Sequence, residues 1–401
     1  MVTVAEALCL VRTACAAVAI ESAPLSDGLG RVLASDARTD VDWPPFDTSA
    51  MDGYAVRVAE AAEGRALPER AGLVAAGDLP PAPLAPGEAV RVMTGAPLPP
   101  GTEAIVPVEN IRRDNGTVAA LSPPRPGEHV RRRGESIRSG SVLVPRGKRL
   151  GVSDIALAAL GGADPISVYA RPRVTIAVTG NELVPASEKP GPGQLRDSNG
   201  PMLAALCRAR GARAATRTAV RDENGAVRAL FAQAGRDEDL LITSGGVSAG
   251  DFDLLPAEAE RAGFELLFHG VAMRPGKPVA FGRRGRALWL GLPGNPVSSA
   301  VCFRLFGAMA LDVLEGVERP GPSFVSARLT HRFSVRGRRE TFSDATLESA
   351  AGELRVAPLE THGSHDLGAY ARANALLRIP ANSEDLEAGT IVECLLLGDL
   401  T

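Results

Sequence analysis

Lysine is almost missing from this sequence of 401 residues, where only Lys148, Lys189 and Lys277 occur among 44 basic side chains. The other 41 (44 − 3) are arginine. The accompanying abundance of Ala, Gly and Pro indicates a coding bias toward GC-rich codons rather than a functional requirement. The net charge of −3 gives no basic excess, which argues against a general nucleic-acid-binding protein.

Aromatic residues make up only 4% of the chain, so aliphatic side chains must fill most of its core. The five cysteines are scattered and contain no CxxC pair, which favours reduced, buried thiols and a cytoplasmic location. No apolar run reaches the roughly 20 residues that a membrane-spanning helix needs. The N-terminus has no basic leader and includes Glu6, so we expect neither a signal peptide nor a membrane partner.

Two common nucleotide motifs are also missing. The sequence has no GxGxxG after a strand and no GxxxxGK[ST], which excludes a dinucleotide fingerprint and a P-loop. His362 and His365 are too isolated to predict a metal site and fit exposed loop positions better. The arginines at 131–133 could contact a phosphate, but an exposed loop explains them equally well.

The length predicts about two to four domains, and the pattern of elements favours four. Thr3 and Glu6 form a capping-box pattern before an amphipathic first helix. A second helical pattern at 154–161 could pack beside it. We predict a discontinuous helical domain formed by residues 1–26 and 140–170, and a β-rich domain at 27–139. An α/β domain at 171–317 and a small C-terminal β domain at 318–401 follow.

Within 171–317 the chain alternates between buried-type strands and helices. This alternation predicts a doubly wound, mainly parallel sheet, and the fold class is therefore α/β multidomain with β-rich flanking domains. In an open parallel sheet, ligands bind beyond the carboxyl ends of the strands. The polar and glycine-rich segments fall at such positions, namely 179–183, 221–223, 244–253, 274–278 and 291–299.

These segments have the residue types that hold a phosphate and a divalent cation. Gly245, Gly246 and Ser248 lie in a run that lets backbone N–H groups approach an anion. Four carboxylates could hold Mg²⁺ against that phosphate: Glu182, Asp222, Asp251 and Asp253. Asn295 and Ser298 begin a helix, where ordinary capping explains them equally well. A single glycine-rich turn is usually structural, but five on one face favour a phosphate-containing ligand with Mg²⁺.

Two further loops stand out in the β-rich region. The first is PPFDTSAMDGYA at 44–55, which contains Asp52, and the second is RVMTGA at 91–96, which contains Thr94.

Taken in order, eight segments resemble the molybdopterin molybdenumtransferases, that is, the bacterial MoeA type and the E-domain of gephyrin. They are PPFDTSAMDGYAV, RVMTGAPLP, the GES stretch after Arg133, VTGNEL, DSNGPML, SGGVSAGDFD, RPGKP and GLPGNPVS. They span about residues 40–299, and the combination is far more specific than any single segment.

The resemblance implies an elongated four-domain protomer and a homodimer, with a cleft between the α/β domain of one protomer and the β domain of its mate. It implies that adenylylated molybdopterin and molybdate enter, AMP leaves, and Mg²⁺ assists. The molybdopterin adenylyltransferase is a candidate partner. The residues that the motifs carry over are Asp52, Thr94, Glu182, Asp222, Asp253 and Lys277, with Arg274 and Ser298 as oxyanion binders.

The sequence departs from the family pattern in three places. Asn181 replaces the usual Asp, Arg274 replaces a common Lys, and the stretch Thr341–Ala345 differs from the usual text. Arg274 still binds an oxyanion, and does so with two parallel hydrogen bonds. Two other functions stay open on this sequence: a molybdopterin adenylyltransferase and a non-enzymatic molybdopterin-binding scaffold.

Overall fold

We describe the protein from a computed structural model, which covers residues 1–62, 65–220, 224–247 and 254–398. The chain divides into two compact units. The first comprises Met1–Ser35, Arg146–Gly151 and Ile166–Thr401, and the second comprises Asp36–Pro145 and Val152–Pro165.

The central sheet of the first unit has six strands: β1 (Arg173–Thr179), β2 (Arg213–Val220), β3 (Leu240–Ser244), β4 (Glu265–His269), β5 (Ala280–Arg284) and β6 (Ala287–Leu292). Their order is β2-β1-β3-β6-β5-β4. The first four strands in that order are parallel to one another. At the edge beside β6, β5 pairs antiparallel with β6, and β4 pairs antiparallel with β5. The predicted α/β fold class with a mainly parallel sheet is confirmed.

Both faces of this sheet are buried, because successive strand residues point to opposite sides. On one face Ile176 and Ile242 belong to a core that also includes residues of the helices Val4–Ala14, Asn199–Ala209 and Pro296–Leu314. On the other face Ala177, Leu241 and Trp289 pack in a second core with the helices Asn224–Gln233 and Leu254–Arg261. Helices on both faces make the sheet doubly wound.

Among the described residues, Pro296–Leu314 is the one helix that is both long and apolar enough to span a membrane. It runs as α-helix over Pro296–Cys302, as a π-turn over Phe303–Gly307, and as α-helix over Ala308–Leu314. An 18-residue stretch of this helix has a mean hydropathy of 1.6, but 89% of that stretch is buried inside the protein. Such burial is typical of a core helix, and the helix places its N-terminal residues at the end of β6.

A second six-stranded sheet completes the first unit. Its strands lie side by side in the order Met273–Arg274, Glu340–Ala350, Glu353–Pro358, Phe324–Leu329, Ile391–Leu396 and Ala375–Ile379. Glu340–Ala350 also pairs with Ala375–Ile379, which closes the sheet around its own core. The short helix Leu367–Arg372 lies against this sheet. Because Met273–Arg274 follows β4 directly, the C-terminal β sheet is joined to the loop that precedes β5.

The second unit contains its own six-stranded sheet. The strands lie in the order Ala104–Pro107, Gly53–Val56, Ala89–Val92, Leu67–Val74, Thr117–Ala120 and Ile111–Asp114. Shorter strand pairs join Thr48–Ser49 to Val130–Arg131 and Ala37–Arg38 to Val142–Val144. The predicted β-rich character of this region is confirmed.

The first helix begins as the capping box predicts. The Thr3 hydroxyl accepts a hydrogen bond from the Glu6 N–H, and the Glu6 carboxylate accepts one from the Thr3 N–H. This helix packs against Ala308–Leu314 in the first unit, whereas the helix Val152–Leu160 packs on strand Val142–Val144 in the second. The two helices therefore lie in different units, and the discontinuous helical domain, like the four-domain division, stays a prediction.

Candidate active site

The glycine-rich loops meet at the carboxyl ends of β1, β3 and β6, as the sequence predicts. Gly245 and Gly246 adopt φ values of +98° and +62°, a region that side-chain-bearing residues rarely occupy. A Cβ at Gly245 would lie 2.7 Å from the backbone oxygen and the hydroxyl of Thr179, and one at Gly294 would lie 3.7 Å from the Gly245 Cα. The three loops are therefore in contact, and small residues allow this approach.

Asn199 connects these loops. Its side-chain amide donates to the Ser244 hydroxyl at 2.8 Å and to the Gly294 carbonyl oxygen at 2.7 Å. Its amide oxygen is buried and accepts no hydrogen bond among the described residues. A buried acceptor without a donor is costly, so this oxygen is available to a ligand N–H or O–H group. In the sequence the DSNG segment contributes only to the family resemblance, and no local pattern indicates this role of Asn199.

The magnesium candidates are only partly described. Glu182 is exposed after β1, and its carboxylate lies beside Gly180, where a Cβ would be 2.8 Å from either oxygen. Asp222, Ser248, Asp251 and Asp253 lie outside the described residues. Among the described residues no group of three or more His, Cys, Asp or Glu is placed to hold a metal ion. The fit of Mg²⁺ therefore depends on residues beyond the described set, and its ligands stay a prediction.

Asn295 and Ser298 begin the long helix, but not as ordinary side-chain caps. Asn295 is the N-cap residue, yet its side chain makes no capping hydrogen bond. Instead its amide donates to the Ser364 hydroxyl at 2.9 Å, and the Val297 N–H donates to the Ser364 carbonyl oxygen at 3.2 Å. Ser298 is 4% exposed and lines the same cleft. The capping explanation is wrong for the Asn295 side chain, which instead links the helix start to the loop before helix Leu367–Arg372.

A cleft of about 1300 Å³ lies between this helix start, the RPGKP segment and the loops of the C-terminal sheet. Four predicted site residues line it together: Arg274, Lys277, Asn295 and Ser298. Arg336, Arg339 and Arg372 line it from the C-terminal side. Among the described residues none of these five cations has a carboxylate within ion-pair distance. By contrast, Arg149 of the same unit pairs with Asp312 and Glu315.

A strand pair and two hydrogen bonds from guanidinium groups to backbone carbonyls hold the two walls of the cleft together. Met273 and Arg274 pair in parallel with Glu340 and Thr341. The Arg339 guanidinium donates to the Met273 carbonyl oxygen at 3.1 Å, and Arg274 donates to the Arg336 carbonyl oxygen at 3.4 Å. These bonds leave most of the guanidinium N–H groups available. Cations that have no carboxylate within ion-pair distance and are held in place by such contacts form a site for an anion.

Gly276 is the sterically tight position in the RPGKP segment. Gly276 has φ +101°, and a Cβ there would overlap the thiol of Cys302 on the long helix. That thiol donates to the Gly276 carbonyl oxygen at 3.6 Å, and burial raises the pKa of Cys302. Lys277 is exposed on the cleft wall.

Asp52 and Thr94 are in contact in the second unit. The Thr94 N–H and hydroxyl both donate to Oδ1 of Asp52, at 2.7 and 2.8 Å. These bonds lower the pKa of Asp52, the backbone bond most. Nearby, Arg132 and Arg133 pair with Asp47 and Asp42 at 2.6 Å, so these arginines already have acidic partners.

Comparison with known proteins accounts for nearly the whole chain. Three family models match: the MoeA N-terminal region (domain I and II) at residues 2–162, the probable molybdopterin binding domain at 175–312, and the MoeA C-terminal region (domain IV) at 326–397. A molybdopterin molybdenumtransferase 2 of Mycobacterium tuberculosis is 38% identical over 378 residues, with 92% of each chain covered. The chain belongs to the molybdopterin molybdenumtransferase family.

Other members of the family agree with this assignment. Molybdopterin molybdenumtransferases of Nostoc and Bacillus subtilis are both 35% identical, over 92% and 93% of this chain and 86% and 89% of theirs. A crystal structure of a molybdopterin biosynthesis MoeA protein from Pyrococcus horikoshii superimposes with a TM-score of 0.82 at 32% identity, with each chain fully covered. The resemblance that the eight segments predict is confirmed.

Proposed function

We propose that this chain inserts molybdenum from molybdate into adenylylated molybdopterin and releases AMP. Its membership in the molybdopterin molybdenumtransferase family supports this activity, and the match of 175–312 to a probable molybdopterin binding domain supports the pterin substrate. The same family membership confirms the prediction that the chain is a transferase of molybdenum-cofactor biosynthesis.

One observation supports the location of the oxyanion: among the described residues, none of the five cations of the cleft has a carboxylate within ion-pair distance. Molybdate is a compact dianion, and attraction by several fixed cations offsets the loss of its hydration. Arg274 and Lys277 approach from the α/β domain, while Arg336 and Arg339 approach from the C-terminal sheet. Ser298 adds a hydroxyl on the same wall. We assign molybdate to this cleft.

The glycine loops at the carboxyl ends of β1, β3 and β6 are our proposed site for the nucleotide-activated pterin. Backbone N–H groups near Gly245 and Gly246 suit a phosphate, and the unused amide oxygen of Asn199 suits a donor on the ligand. Asn295 lies next to Gly294 in the chain and lines the molybdate cleft, so the two proposed sites adjoin. This adjacency supports transfer of molybdenum to the bound pterin.

Three finer points remain proposals. Mg²⁺, held by Glu182 with Asp222, Asp251 or Asp253, would neutralise charge on the phosphates. A homodimer would bring the Asp52–Thr94 pair of one protomer to the site of its mate, and sedimentation at micromolar concentration should show it.

A cytoplasmic location fits the five cysteines, which are all free thiols. The molybdopterin adenylyltransferase stays a candidate partner.

A single set of assays tests the function against its two rivals. With adenylylated molybdopterin, the purified protein should release AMP only when molybdate is present. Pyrophosphate release from ATP and molybdopterin without molybdate would identify an adenylyltransferase instead. Binding of molybdopterin with neither product would identify a scaffold.

A further inference from the structure

Asp344 is a buried carboxyl group without a hydrogen-bond partner among the described residues. It lies in strand Glu340–Ala350, opposite Leu376, and is 6% exposed. The other buried acids among the described residues all accept hydrogen bonds; for example, Glu258 pairs with Arg228 and Arg261, and Asp197 accepts a bond from the Gly200 N–H. Asp344 has none, and it lines the cleft to which we assign molybdate.

The surroundings of Asp344 oppose its ionisation. Burial is the larger cause and the negative charge of Asp366 the second, and together they raise the pKa of Asp344 to about 6. Asp366 itself stays acidic because it accepts hydrogen bonds from the N–H groups of His362 and Ala369 at the start of helix Leu367–Arg372. Tyr370 of that helix is also close, but its hydroxyl accepts a hydrogen bond from Arg304.

Other titratable groups share the cleft and bear on any pH dependence. His362, His365 and Glu360 line it from the loop before helix Leu367–Arg372, and the five cations line it from the remaining sides. A test of pH dependence must therefore separate the contribution of the two histidines from that of Asp344.

The two protonation states of a carboxyl group recognise different oxyanions. A carboxylic acid has an O–H donor, whereas a carboxylate only accepts hydrogen bonds. Molybdate and sulfate are fully deprotonated near neutral pH and offer acceptors alone. Hydrogen phosphate still carries a proton and offers a donor. A carboxylic acid in an oxyanion site therefore bonds to molybdate, and a carboxylate repels it.

We propose that Asp344 determines the oxyanion specificity of this cleft: as a carboxylic acid it donates a hydrogen bond to a proton-free tetrahedral dianion, and as a carboxylate it disfavours that dianion. The proposal deepens the proposed function and rests on its assignment of molybdate to the cleft. Each bound dianion then requires one proton on Asp344. Molybdate affinity falls with rising pH above the pKa of this group, by up to about tenfold per pH unit.

Titration calorimetry of the full chain with molybdate, sulfate and phosphate between about pH 6 and pH 8 tests this specificity. For the parent protein, molybdate and sulfate should lose affinity together by about tenfold or more over that range, and phosphate should lose much less. Asp344→Asn keeps a donor but cannot ionise. It should match the parent near pH 6 and bind molybdate about tenfold more tightly near pH 8.

A second variant controls for the donor itself. Asp344→Ala removes donor and charge, so it should bind molybdate more weakly than Asp344→Asn at every pH. A pH dependence in Asp344→Asn equal to that of the parent would overturn the proposal and assign the effect to His362 and His365. Absence of oxyanion binding by the parent protein would overturn both this proposal and the molybdate assignment. Molybdate-dependent AMP release would separately show whether the overall function stands.

Discussion

The Thr94 N–H and hydroxyl converge on one oxygen of Asp52, Oδ1, at 2.7 and 2.8 Å. Both residues are exposed, and both belong to loops that the motif analysis singled out. Two donors on one oxygen hold the carboxylate in the ionised form and in one orientation, and its second oxygen has no bond from Thr94. The pair is therefore a fixed negative charge presented at the surface of the second unit.

This geometry predicts a pH effect for Thr94→Val. Loss of the hydroxyl donor removes one of the bonds that lower the pKa of Asp52, so this pKa should rise toward its ordinary value. If ionised Asp52 is needed, the acid limb of the rate profile for AMP release should move to higher pH. Thr117→Val, in the same unit, is the matched control and should leave the profile unchanged. An unshifted acid limb in Thr94→Val would remove Asp52 from the reaction.

The contact between Gly276 and Cys302 predicts a stability effect. Gly276→Ala places a methyl group against the Cys302 thiol at a φ of +101°. Strain and overlap should lower the free energy of unfolding by about 2–4 kcal/mol. Gly285→Ala, with positive φ but open space around the Cβ, is the control and should cost about 1 kcal/mol. Equal losses in denaturant titrations of the two variants would show that the Cys302 contact is unimportant.

The burial of the Asp344 carboxyl group predicts that Asp344→Asn, which removes its negative charge, stabilises the protein at high pH. Its pKa is raised by folding, so its contribution to stability is greatest at low pH and is lost as pH rises through about 6. Asp344→Asn should therefore unfold with a free energy higher by about 1–3 kcal/mol near pH 8. The advantage should shrink below about pH 6 and vanish near the ordinary Asp value. Denaturant unfolding at several pH values measures it, and a pH-independent difference would contradict the burial argument.

Lys277 should matter for turnover through its charge. Its side chain is exposed on the cleft wall, so the structure gives no steric reason to prefer lysine over arginine there. Lys277→Ala should lower the rate of AMP release by about 10²–10³. Lys277→Arg keeps the charge in open space and should recover most of that loss. Lys189→Ala, an exposed lysine outside the cleft, is the control; a loss in Lys189→Ala equal to that in Lys277→Ala would argue against the assignment.

The local features of this fold could be predicted from the sequence, and the long-range ones could not. The Thr3–Glu6 capping box lies within one helical turn, so its pattern gives the helix start directly. The alternation of strands and helices likewise predicts which loops meet at one edge of the sheet. The bond from Asn295 to Ser364 joins residues 69 positions apart, and no local pattern contains it.

Asp344 shows a second limit of sequence reasoning. The stretch Thr341–Ala345 departs from the family pattern, but an isolated Asp in a strand does not reveal whether it faces solvent or a cleft. The place of Arg336 and Arg339 in the cleft also depends on long-range structure, since the pairing of Met273–Arg274 with Glu340–Thr341 brings them beside Lys277. Asp222, Ser248, Asp251 and Asp253 lie outside the described residues, and their roles stay predictions.

The central claim is that the loss of AMP and the gain of molybdenum occur together at adjoining sites. The most direct measurement follows both products in one reaction of the purified protein with adenylylated molybdopterin and molybdate. Molybdenum bound to the pterin and released AMP should accumulate in equal amounts, and both should stop accumulating when molybdate is exhausted. AMP release that continues without molybdenum uptake would contradict it.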